Sequence, residues 1–273
     1  MIPIEKITPP DAAGVRYVLV DIDDTLTCEG KLGAASYSAL WELHRAGLGI
    51  IPVTGRPAGW CDLIAREWPV AGVIGENGAL AFWEERNGKP VLRQSFHPNA
   101  VPNTHPVLER IRNRVLEEVP GARVAKDQFA RLFDLAVDFA EEEPVLSLDS
   151  AGKIRLIAEA EGAIAKISSI HVNIWMGAYD KLFMTERFLT ERFGWHSGAG
   201  DREIIFVGDS PNDEPMFARF PLACAVANIR RYTALMKREP AFTASRECGE
   251  GFAEIAETLL RKRGIRGFSP KPT

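Results

Sequence analysis

The sequence predicts an α/β fold built on a parallel β-sheet. Apolar runs rich in β-branched residues occur at 17–22, 48–53 and 204–207, and such runs are typical of strands that are buried on both faces. Residues 36–46 and 58–67 have the apolar spacing of helices and lie between or after the first two runs. An alternation of strands and helices is typical of a parallel sheet with helices packed on its faces.

The rest of this core is predicted from shorter segments on both sides of a long middle region. Residues 70–74 form a third strand, and residues 222–226 form a strand near the end of the chain. Helices are predicted at 181–193 and 250–261, and residues 268–273 are expected to form a frayed tail.

The middle of the chain has a different pattern and predicts a separate α+β module. Strands at 80–83 and 91–96 are joined around Asn87-Gly88, which is typical of a hairpin. Further elements are helices at 106–119 and 150–161 and strands at 133–139 and 169–174, the last with alternating polar and apolar residues. We therefore predict a core domain at 1–80 and 176–273, interrupted by an inserted domain at 81–175.

Composition excludes several classes of partner. The chain has 273 residues, of which 46% are hydrophobic and 26% charged, so it has enough apolar residues for a sizeable core. The formal net charge is −4, which gives no general attraction to nucleic acids or to anionic membranes. A negatively charged ligand would need a local positive centre, such as a metal ion, a lysine or a helix terminus.

Cysteine usage and hydropathy indicate a cytoplasmic protein. The four cysteines form no Cys-x-x-Cys pair and are expected to be free thiols: Cys28, Cys61, Cys224 and Cys248. No apolar run approaches the roughly 18 residues that a membrane-spanning helix needs, and the first ten residues lack the apolar stretch of a signal peptide. The histidines show no metal-ligand spacing, so a zinc site is not expected.

Polar side chains gather where the predicted strands end. Asp21 and Asp23 lie at the end of the first strand, Thr54 follows the second, and Asn77 follows the third. In open parallel sheets, functional groups collect beyond the carboxyl ends of the strands. The sequence therefore predicts a functional site at this edge of the sheet.

Asp21 and Asp23 are suited to phosphoryl chemistry. In extended chain, two carboxylates two positions apart point to the same side, and they repel one another unless a cation neutralises them. Mg²⁺ does this well and also binds phosphate oxygens. One carboxylate is then able to attack phosphorus, while the other protonates the leaving oxygen and later deprotonates water.

Four short motifs make the chain resemble the haloacid dehalogenase superfamily of phosphohydrolases. They are Asp21-Ile22-Asp23-Asp24-Thr25-Leu26, the strand-end Thr54, Lys181, and Gly208-Asp209-Ser210-Pro211-Asn212-Asp213. The resemblance covers most of the chain. It implies a Rossmann-like parallel sheet with an inserted α+β cap domain of the C2 type.

The resemblance also implies roles for these residues. Asp21 would be the nucleophile, Asp23 the general acid and base, Thr54 a ligand of the transferring phosphoryl group, and Lys181 the residue that neutralises its charge. The residues implied at the metal site are Asp21, Asp23, Asp209 and Asp213.

The segments Thr54-Gly55-Arg56-Pro57 and Glu76-Asn77-Gly78-Ala79, with the long insert, resemble the subfamily that has a large α/β cap. This subfamily, IIB, includes Cof-type sugar phosphatases, sucrose-phosphate and trehalose-phosphate phosphatases, mannosyl-3-phosphoglycerate phosphatase and eukaryotic phosphomannomutase. Two departures are Asp24, where many relatives have glycine, and Ser210-Pro211 in the fourth motif.

Several residues are predicted to bind the substrate, and some have a second interpretation. The predicted substrate-binding residues are Thr54, Gly55, Arg56, Asn77, Lys181 and Asn212. Thr54 is equally suited to cap a helix, and Lys153 and Lys166 are rivals for the role of Lys181. His171, Asn173 and Trp175 alternate on one face of a strand, either as a substrate-facing surface of the insert or as ordinary packing.

These observations predict a Mg²⁺-dependent phosphatase that hydrolyses a small phosphorylated metabolite, a sugar phosphate or a phosphoglycerate-type compound, through an aspartyl-phosphate. A phosphotransferase or phosphomutase on the same scaffold is the first alternative, because it shares the first half-reaction. A non-catalytic binding module and a dehalogenase are further alternatives. The sequence determines neither the substrate nor the oligomeric state.

Overall fold

The computed structural model describes residues 1–168 and 170–265. Within these residues, the helices are α1 (Pro9–Gly14), α2 (Ala34–Arg45), α3 (Ala58–Glu67), α4 (Pro106–Glu118), α5 (Leu148–Ala160), α6 (Lys181–Phe193), α7 (Glu214–Arg219) and α8 (Cys248–Lys262). The strands are β1 (Ile2–Pro3), β2 (Tyr17–Val20), β3 (Thr27–Cys28), β4 (Lys31–Leu32), β5 (Gly49–Pro52), β6 (Val73–Gly75), β7 (Leu80–Asn87), β8 (Lys89–Phe96), β9 (Arg123–Val124), β10 (Asp134–Asp138), β11 (Ile164–Ile167), β12 (His171–Trp175), β13 (Ile204–Gly208), β14 (Cys224–Ala225) and β15 (Phe242–Thr243).

The main sheet has six parallel strands in the order β1-β15-β14-β13-β2-β5. Both faces of β2 are buried, because Val18 and Val20 pack in one hydrophobic cluster and Leu19 in another. The first cluster contains side chains of α2 and α8, and the second contains side chains of α6 and α7. This two-sided burial explains why β2 is a continuous apolar run, and it confirms the predicted α/β fold.

The β7–β8 hairpin extends the sheet beyond β5. A parallel bridge joins Val53 to Ile74, and β6 pairs antiparallel with β7, which pairs antiparallel with β8. The sequence analysis assigned the hairpin strands to the insert at 81–175, whereas in the structure the hairpin is hydrogen-bonded to β6. The division into 1–80, 81–175 and 176–273 stays a prediction.

A second sheet forms most of the predicted insert. Its antiparallel strands lie in the order β11-β12-β10-β9. One face packs on α4 and α5 in a separate hydrophobic cluster that contains Val172, Ile174 and Ile111. His171 and Asn173 alternate with Val172 and Ile174 along β12, so they are on the opposite face of the sheet. We call this sheet with α4 and α5 the cap.

The predicted elements agree closely with the structure, and the missed ones are short. Helices α3 and α6 have the predicted bounds, and the hairpin strands β7 and β8 are longer than predicted. The sequence analysis missed eight elements, because segments of six residues or fewer show little periodicity. They are α1, α7, β1, β3, β4, β9, β11 and β15. The tail predicted at 268–273 lies outside the described residues.

All four cysteines are free thiols, as predicted, with Cys28 exposed and the others buried. Among the described residues, the structure has no helix with the length and apolarity required to cross a membrane.

Candidate active site

The site lies at the carboxyl ends of three neighbouring strands. Asp21 follows β2, Asp209 follows β13, and Thr54 follows β5 after one residue. Register aligns these ends, since Val20 lies opposite both Val207 and Pro52. The backbone N–H of Asp21 continues the ladder by donating to the Val207 carbonyl at 2.9 Å. The sheet thus brings together residues that are far apart in the sequence, as its parallel topology predicts.

Asp21, Asp209 and Asp213 form a buried acidic cluster. One carboxylate oxygen from each lies within 4.8 Å of the others, and the three residues are at most 5% exposed. The Asp213 carboxylate accepts a hydrogen bond from the backbone N–H of Asp209 at 3.1 Å. The turn that follows β13 therefore holds two of the three carboxylates in place.

Lys181 is the cation next to this cluster. Its Nζ donates to Asp21 Oδ1 at 2.7 Å and to Asp213 Oδ1 at 3.3 Å. Lys181 is the first residue of α6, which begins there because the Asp180 side chain accepts from the Phe183 N–H at the helix N-terminus. The rival Lys153 donates instead to a carbonyl of α4, and Lys166 is exposed.

Gly78 allows the chain to place Lys181 there. Its φ of +103° favours glycine, and a Cβ on Gly78 would lie 2.1 Å from the Asp180 carbonyl oxygen and 3.0 Å from the Lys181 nitrogen. A side chain at position 78 would push away the segment that leads into α6. The Glu76-Asn77-Gly78-Ala79 motif therefore supports the position of Lys181 from the end of β6.

The charge balance of the cluster suits a divalent cation. Burial raises the pKa of Asp21 to about 8 against the opposing effect of Lys181, and burial with the neighbouring Asp213 and Asp21 carboxylates raises the pKa of Asp209. Burial alone would lower the pKa of Lys181, but Asp21 and Asp213 raise it. Three carboxylates face one lysine, and oxygen ligands of this kind fit Mg²⁺.

Two further side chains orient Asp209. Thr25 Oγ1 donates to Asp209 Oδ1 at 3.2 Å, and Asn228 Nδ2 donates to Asp209 Oδ2 at 3.3 Å. Asn228 also donates to the carbonyl of Asp24 at 2.9 Å. The sequence analysis did not single out Asn228, because it lies in a short 3₁₀ segment after β14 with no local motif.

Asp23 lies beside Arg56 rather than in the metal cluster. Arg56 Nε donates to Asp23 Oδ1 at 2.9 Å and Nη2 donates to the same oxygen at 2.7 Å. On its other side, Arg56 Nη1 donates to Glu141 Oε1 of the cap at 3.2 Å. The Arg56 guanidinium thus contacts a carboxylate on each side. The predicted metal role of Asp23 and the predicted substrate contact of Arg56 stay predictions.

Thr54 connects the end of β5 to the loop that follows it. Its Oγ1 accepts from the backbone N–H of Arg56 at 3.0 Å, and its own N–H donates to the Ile74 carbonyl at 2.9 Å. The Thr54 hydroxyl keeps its own proton to donate. Thr54 is fully buried and orders the loop before α3, and its phosphate contact stays a prediction.

A small cavity of about 20 Å³ lies between the core and the cap. Its lining residues are Asp21, Asp23, Gly55, Arg56, Asn77, Ser168, Ile170, His171, Asn173, Asp209, Ser210 and Asn212. Of the alternating residues on β12, His171 and Asn173 line this cavity, whereas Trp175 packs in the hydrophobic core and stacks on Tyr179 with ring centroids 5.5 Å apart. The packing interpretation is confirmed for Trp175, and the substrate-facing interpretation of His171 and Asn173 stays a prediction.

A buried polar network that the sequence analysis missed attaches the cap to the core. Glu76 accepts from the backbone N–H groups of Ala58 at 2.9 Å and of Phe133 at 2.7 Å, among others. Arg131 donates to Asp134 and to the carbonyl of Gly55, each at 3.0 Å. The signal available in the sequence was a glutamate, Glu76, close after the predicted strand at 70–74. Its partners near residue 133 come from a segment far along the chain, so the sequence did not identify them.

The chain is similar to known proteins in part of its sequence and in its fold. Residues 18–119 match the model of the haloacid dehalogenase-like hydrolases. No curated protein matches the chain. A Thermoplasma acidophilum protein is similar to this chain with 19% identity and a TM-score of 0.66, covering 91% of this chain and 98% of its own.

Two other solved structures are similar over comparable lengths. A haloacid dehalogenase-like hydrolase from Bacteroides thetaiotaomicron has 15% identity and a TM-score of 0.63, with 90% of this chain and 99% of the other covered. A subclass IIB sugar phosphatase of the same superfamily has 14% identity and a TM-score of 0.59, with 92% and 100% covered. At these identities the likeness shows a shared fold.

The fold is shared with haloacid dehalogenase-like hydrolases, and the match of residues 18–119 to their model confirms the resemblance seen in the motifs. The prediction that the chain is an enzyme of the hydrolase class is likewise confirmed.

Proposed function

We propose that this chain is a Mg²⁺-dependent phosphatase that hydrolyses a small phosphorylated metabolite through an aspartyl-phosphate on Asp21. The observation that carries the proposal is the buried cluster of Asp21, Asp209 and Asp213, with Lys181 Nζ 2.7 Å from Asp21. A sugar phosphate is the first substrate class to test, because a similar structure is a sugar phosphatase.

The two half-reactions assign a role to each carboxylate. A carboxylate oxygen of Asp21 attacks phosphorus, the bond from phosphorus to the alcohol oxygen breaks, and Asp23 gives its proton to that oxygen. Water then attacks the phosphoryl group, its proton passes to Asp23, and inorganic phosphate leaves Asp21. Arg56 fixes the position of Asp23 with three hydrogen bonds from its Nε and Nη2 atoms.

Positive groups stabilise the charge on the transferring phosphoryl oxygens, which is the main requirement of phosphoryl transfer. Lys181 and the Thr54 hydroxyl supply donors from the protein. Asp21, Asp209 and Asp213 would hold Mg²⁺, which supplies the remaining positive charge when it is bound. The cap excludes bulk water from the site during the first half-reaction.

The experiment is phosphate release from a panel of phosphorylated metabolites, with Mg²⁺ and with EDTA in its place. We expect Mg²⁺-dependent release from a few compounds. Release that appears only when a second alcohol is added would replace hydrolysis with phosphotransfer. No release under either condition would contradict the proposal.

Metal binding is measured separately by thermal unfolding. Mg²⁺ at a hundred times its dissociation constant stabilises the folded state by about 2.7 kcal/mol, so we expect the wild type to melt at a higher temperature with Mg²⁺ than with EDTA. Asp209→Asn should lose most of this shift, whereas Asp201→Asn, an aspartate outside the cluster in the same half of the chain, should keep it. An equal Mg²⁺ shift in both variants would contradict the assigned site.

A further inference from the structure

Two cysteine side chains meet beside the segment that leaves the active site. Cys28 is the last residue of β3, shortly after residues 21–24, and Cys248 is the first residue of α8. Their thiols are hydrogen-bonded to each other. Both thiols are free, and Cys28 is exposed whereas Cys248 is only 7% exposed. One sulfur is therefore open to a reagent in solution, and the other contacts it from the buried side.

The backbones around the two cysteines are also close together. A Cβ on Gly249 would lie 2.7 Å from the carbonyl oxygen of Leu26, so glycine allows the start of α8 to approach the chain that leads to Cys28. Cα atoms of β3 lie within 8 Å of Cα atoms of α8. A disulfide needs Cα atoms within about 7 Å and sulfurs about 2 Å apart, so a small movement is enough to form one.

The strand that carries Cys28 is free to make this movement. β3 pairs only with β4 in a two-stranded hairpin, in which Cys28 lies opposite Lys31. The hairpin turns through Glu29 and Gly30, both of which have positive φ. A hairpin of two short strands has little stability of its own, so it can shift toward α8 without disturbing the main sheet.

One side chain joins the start of α8 to the acidic cluster. The backbone N–H of Cys248 donates to Asn228 Oδ1 at 3.1 Å. Nδ2 of the same Asn228 donates to Asp209 Oδ2 at 3.3 Å and to the carbonyl of Asp24 at 2.9 Å. Asn228 is buried, so its amide is fixed by these three partners. A movement of the Cys248 backbone therefore changes the orientation of the Asp209 carboxylate.

We propose that Cys28 and Cys248 are a redox-modification site, at which a low-molecular-weight disulfide such as oxidised glutathione produces an internal disulfide that weakens Mg²⁺ binding at Asp209. The disulfide itself is independent of the proposed function, whereas its effect on Mg²⁺ rests on that function. In a reducing compartment, a protein disulfide is usually transient and acts as a redox sensor.

The reaction is a thiol–disulfide exchange in two steps. Burial, followed by the hydrogen bond with Cys28, raises the pKa of the Cys248 thiol to about 12, so the exposed Cys28 is the first to react. Its thiolate attacks one sulfur of oxidised glutathione, the S–S bond of the reagent breaks, and one glutathione thiolate leaves.

The second step closes the internal disulfide. The Cys248 sulfur loses its proton and attacks the Cys28 sulfur, and the second glutathione thiolate leaves. The two protein thiols thereby lose two protons and two electrons, which the reagent gains as two glutathione thiols. An excess of dithiothreitol reverses the sequence.

The first experiment counts the thiols of the unfolded protein before and after incubation with oxidised glutathione. We expect the count to fall from four to two, peptide mapping to identify a link between Cys28 and Cys248, and dithiothreitol to restore all four. A count that stays at four would overturn the proposal. A count of three, from a glutathione adduct or a link between two chains, would overturn it as well.

Variants assign the disulfide to this pair. Neither Cys28→Ser nor Cys248→Ser should form an internal disulfide. Cys224→Ala is the matched control, because it removes a buried thiol of β14, and it should still form the disulfide. An internal disulfide in Cys28→Ser would mean that other thiols react.

The second experiment measures the dissociation constant for Mg²⁺ from the Mg²⁺ dependence of thermal unfolding, in reduced and in oxidised wild type. Disturbing a residue that orients a metal ligand typically weakens binding by tenfold or more, so we expect oxidation to raise this constant about tenfold and dithiothreitol to reverse the change. In Cys28→Ser, oxidised glutathione should leave the constant unchanged.

The two experiments separate the two parts of the proposal. A disulfide that forms without changing the Mg²⁺ dissociation constant would overturn the coupling through Asn228. If even the reduced protein shows no effect of Mg²⁺, the metal site of the proposed function is overturned together with this coupling, and the thiol count alone decides whether Cys28 and Cys248 are a redox-modification site.

Discussion

Asp21 has a different electrostatic environment from an ordinary surface aspartate. It is buried with Asp209 and Asp213, and Lys181 is the cation that contacts it. Burial is the largest cause of its raised pKa of about 8, and the nearby carboxylates add to it. A bound divalent cation would favour the ionised form, which is the form that attacks phosphorus.

We expect Asp21→Asn to abolish turnover without unfolding the protein. An amide oxygen is a poor nucleophile, so kcat should fall by at least about a thousandfold. In EDTA the variant should melt no lower than the wild type, because one of three neighbouring buried carboxylates loses its charge. Phosphate release and thermal unfolding measure the two effects.

The matched control for this prediction is Asp62→Asn, which changes a half-exposed aspartate of α3 that pairs with Arg66. It should keep wild-type turnover. Near wild-type activity in Asp21→Asn would contradict the assignment of the nucleophile.

At the level of secondary-structure elements, Glu76 attaches the start of β10 to the core. It is fully buried and accepts hydrogen bonds from the backbone N–H groups of Leu132, Phe133 and Asp134, as well as from Ala58 at the start of α3. Burial raises its pKa, and these backbone donors oppose that rise. One carboxylate thus joins an element of the cap to the helix that follows the Thr54 loop.

Glu76→Gln should destabilise the protein by about 2 kcal/mol or more, because the amide nitrogen is a donor and would face backbone donors. The free energy of unfolding is measured by urea titration. Glu67→Gln, which changes an exposed glutamate at the end of α3, is the control and should be close to neutral. A neutral Glu76→Gln would mean that the backbone groups find other partners.

For the molecule as a whole, Glu141 joins the cap to the core through Arg56 and His171, which both line the cavity. It accepts from Arg56 Nη1 of the core at 3.2 Å and contacts His171 Nε2 of the cap at 2.8 Å. The His171 hydrogen bond, followed by the charges of His171 and Arg56, lowers the pKa of Glu141 to about 2. Since Arg56 also holds Asp23, the closed cap is linked to the proposed acid and base.

The contribution of Glu141 to stability should depend on pH. Its pKa is lower in the folded state, so its stabilising effect is complete above the ordinary value of about 4.5 and is lost as the pH falls toward about 2. We expect Glu141→Gln to lower the free energy of unfolding at pH 5.5 by less than about 1 kcal/mol, because the side chain is a third exposed. The difference should shrink between pH 4.5 and pH 3.

Urea unfolding at pH 5.5, 4.5 and 3.5 measures this dependence. Glu117→Gln, an exposed glutamate on α4, provides the control and should show no pH-dependent difference. A Glu141→Gln effect that grows as the pH falls would contradict the lowered pKa.

The sequence by itself determined the parallel core and the order of the site residues along it. Buried strands such as β2 and β13 are apolar on both faces, so their ends are visible in the sequence, and parallel strands must place those ends at one edge. Asp21, Thr54 and Asp209 follow such ends. Lys181 was predicted by resemblance to a family motif, and α6 begins at that residue.

Only the tertiary structure decided which side chains from distant segments meet. Arg56, whose substrate contact stays a prediction, lies between Asp23 and Glu141, and the Asn77 amide meets Asn173 of the cap beside Gly55. Hydrogen bonds between groups far apart in sequence depend on the relative placement of two sheets, which leaves no periodic signal along the chain. The edge of the sheet could therefore be predicted from local patterns, whereas the partners of its polar groups could not.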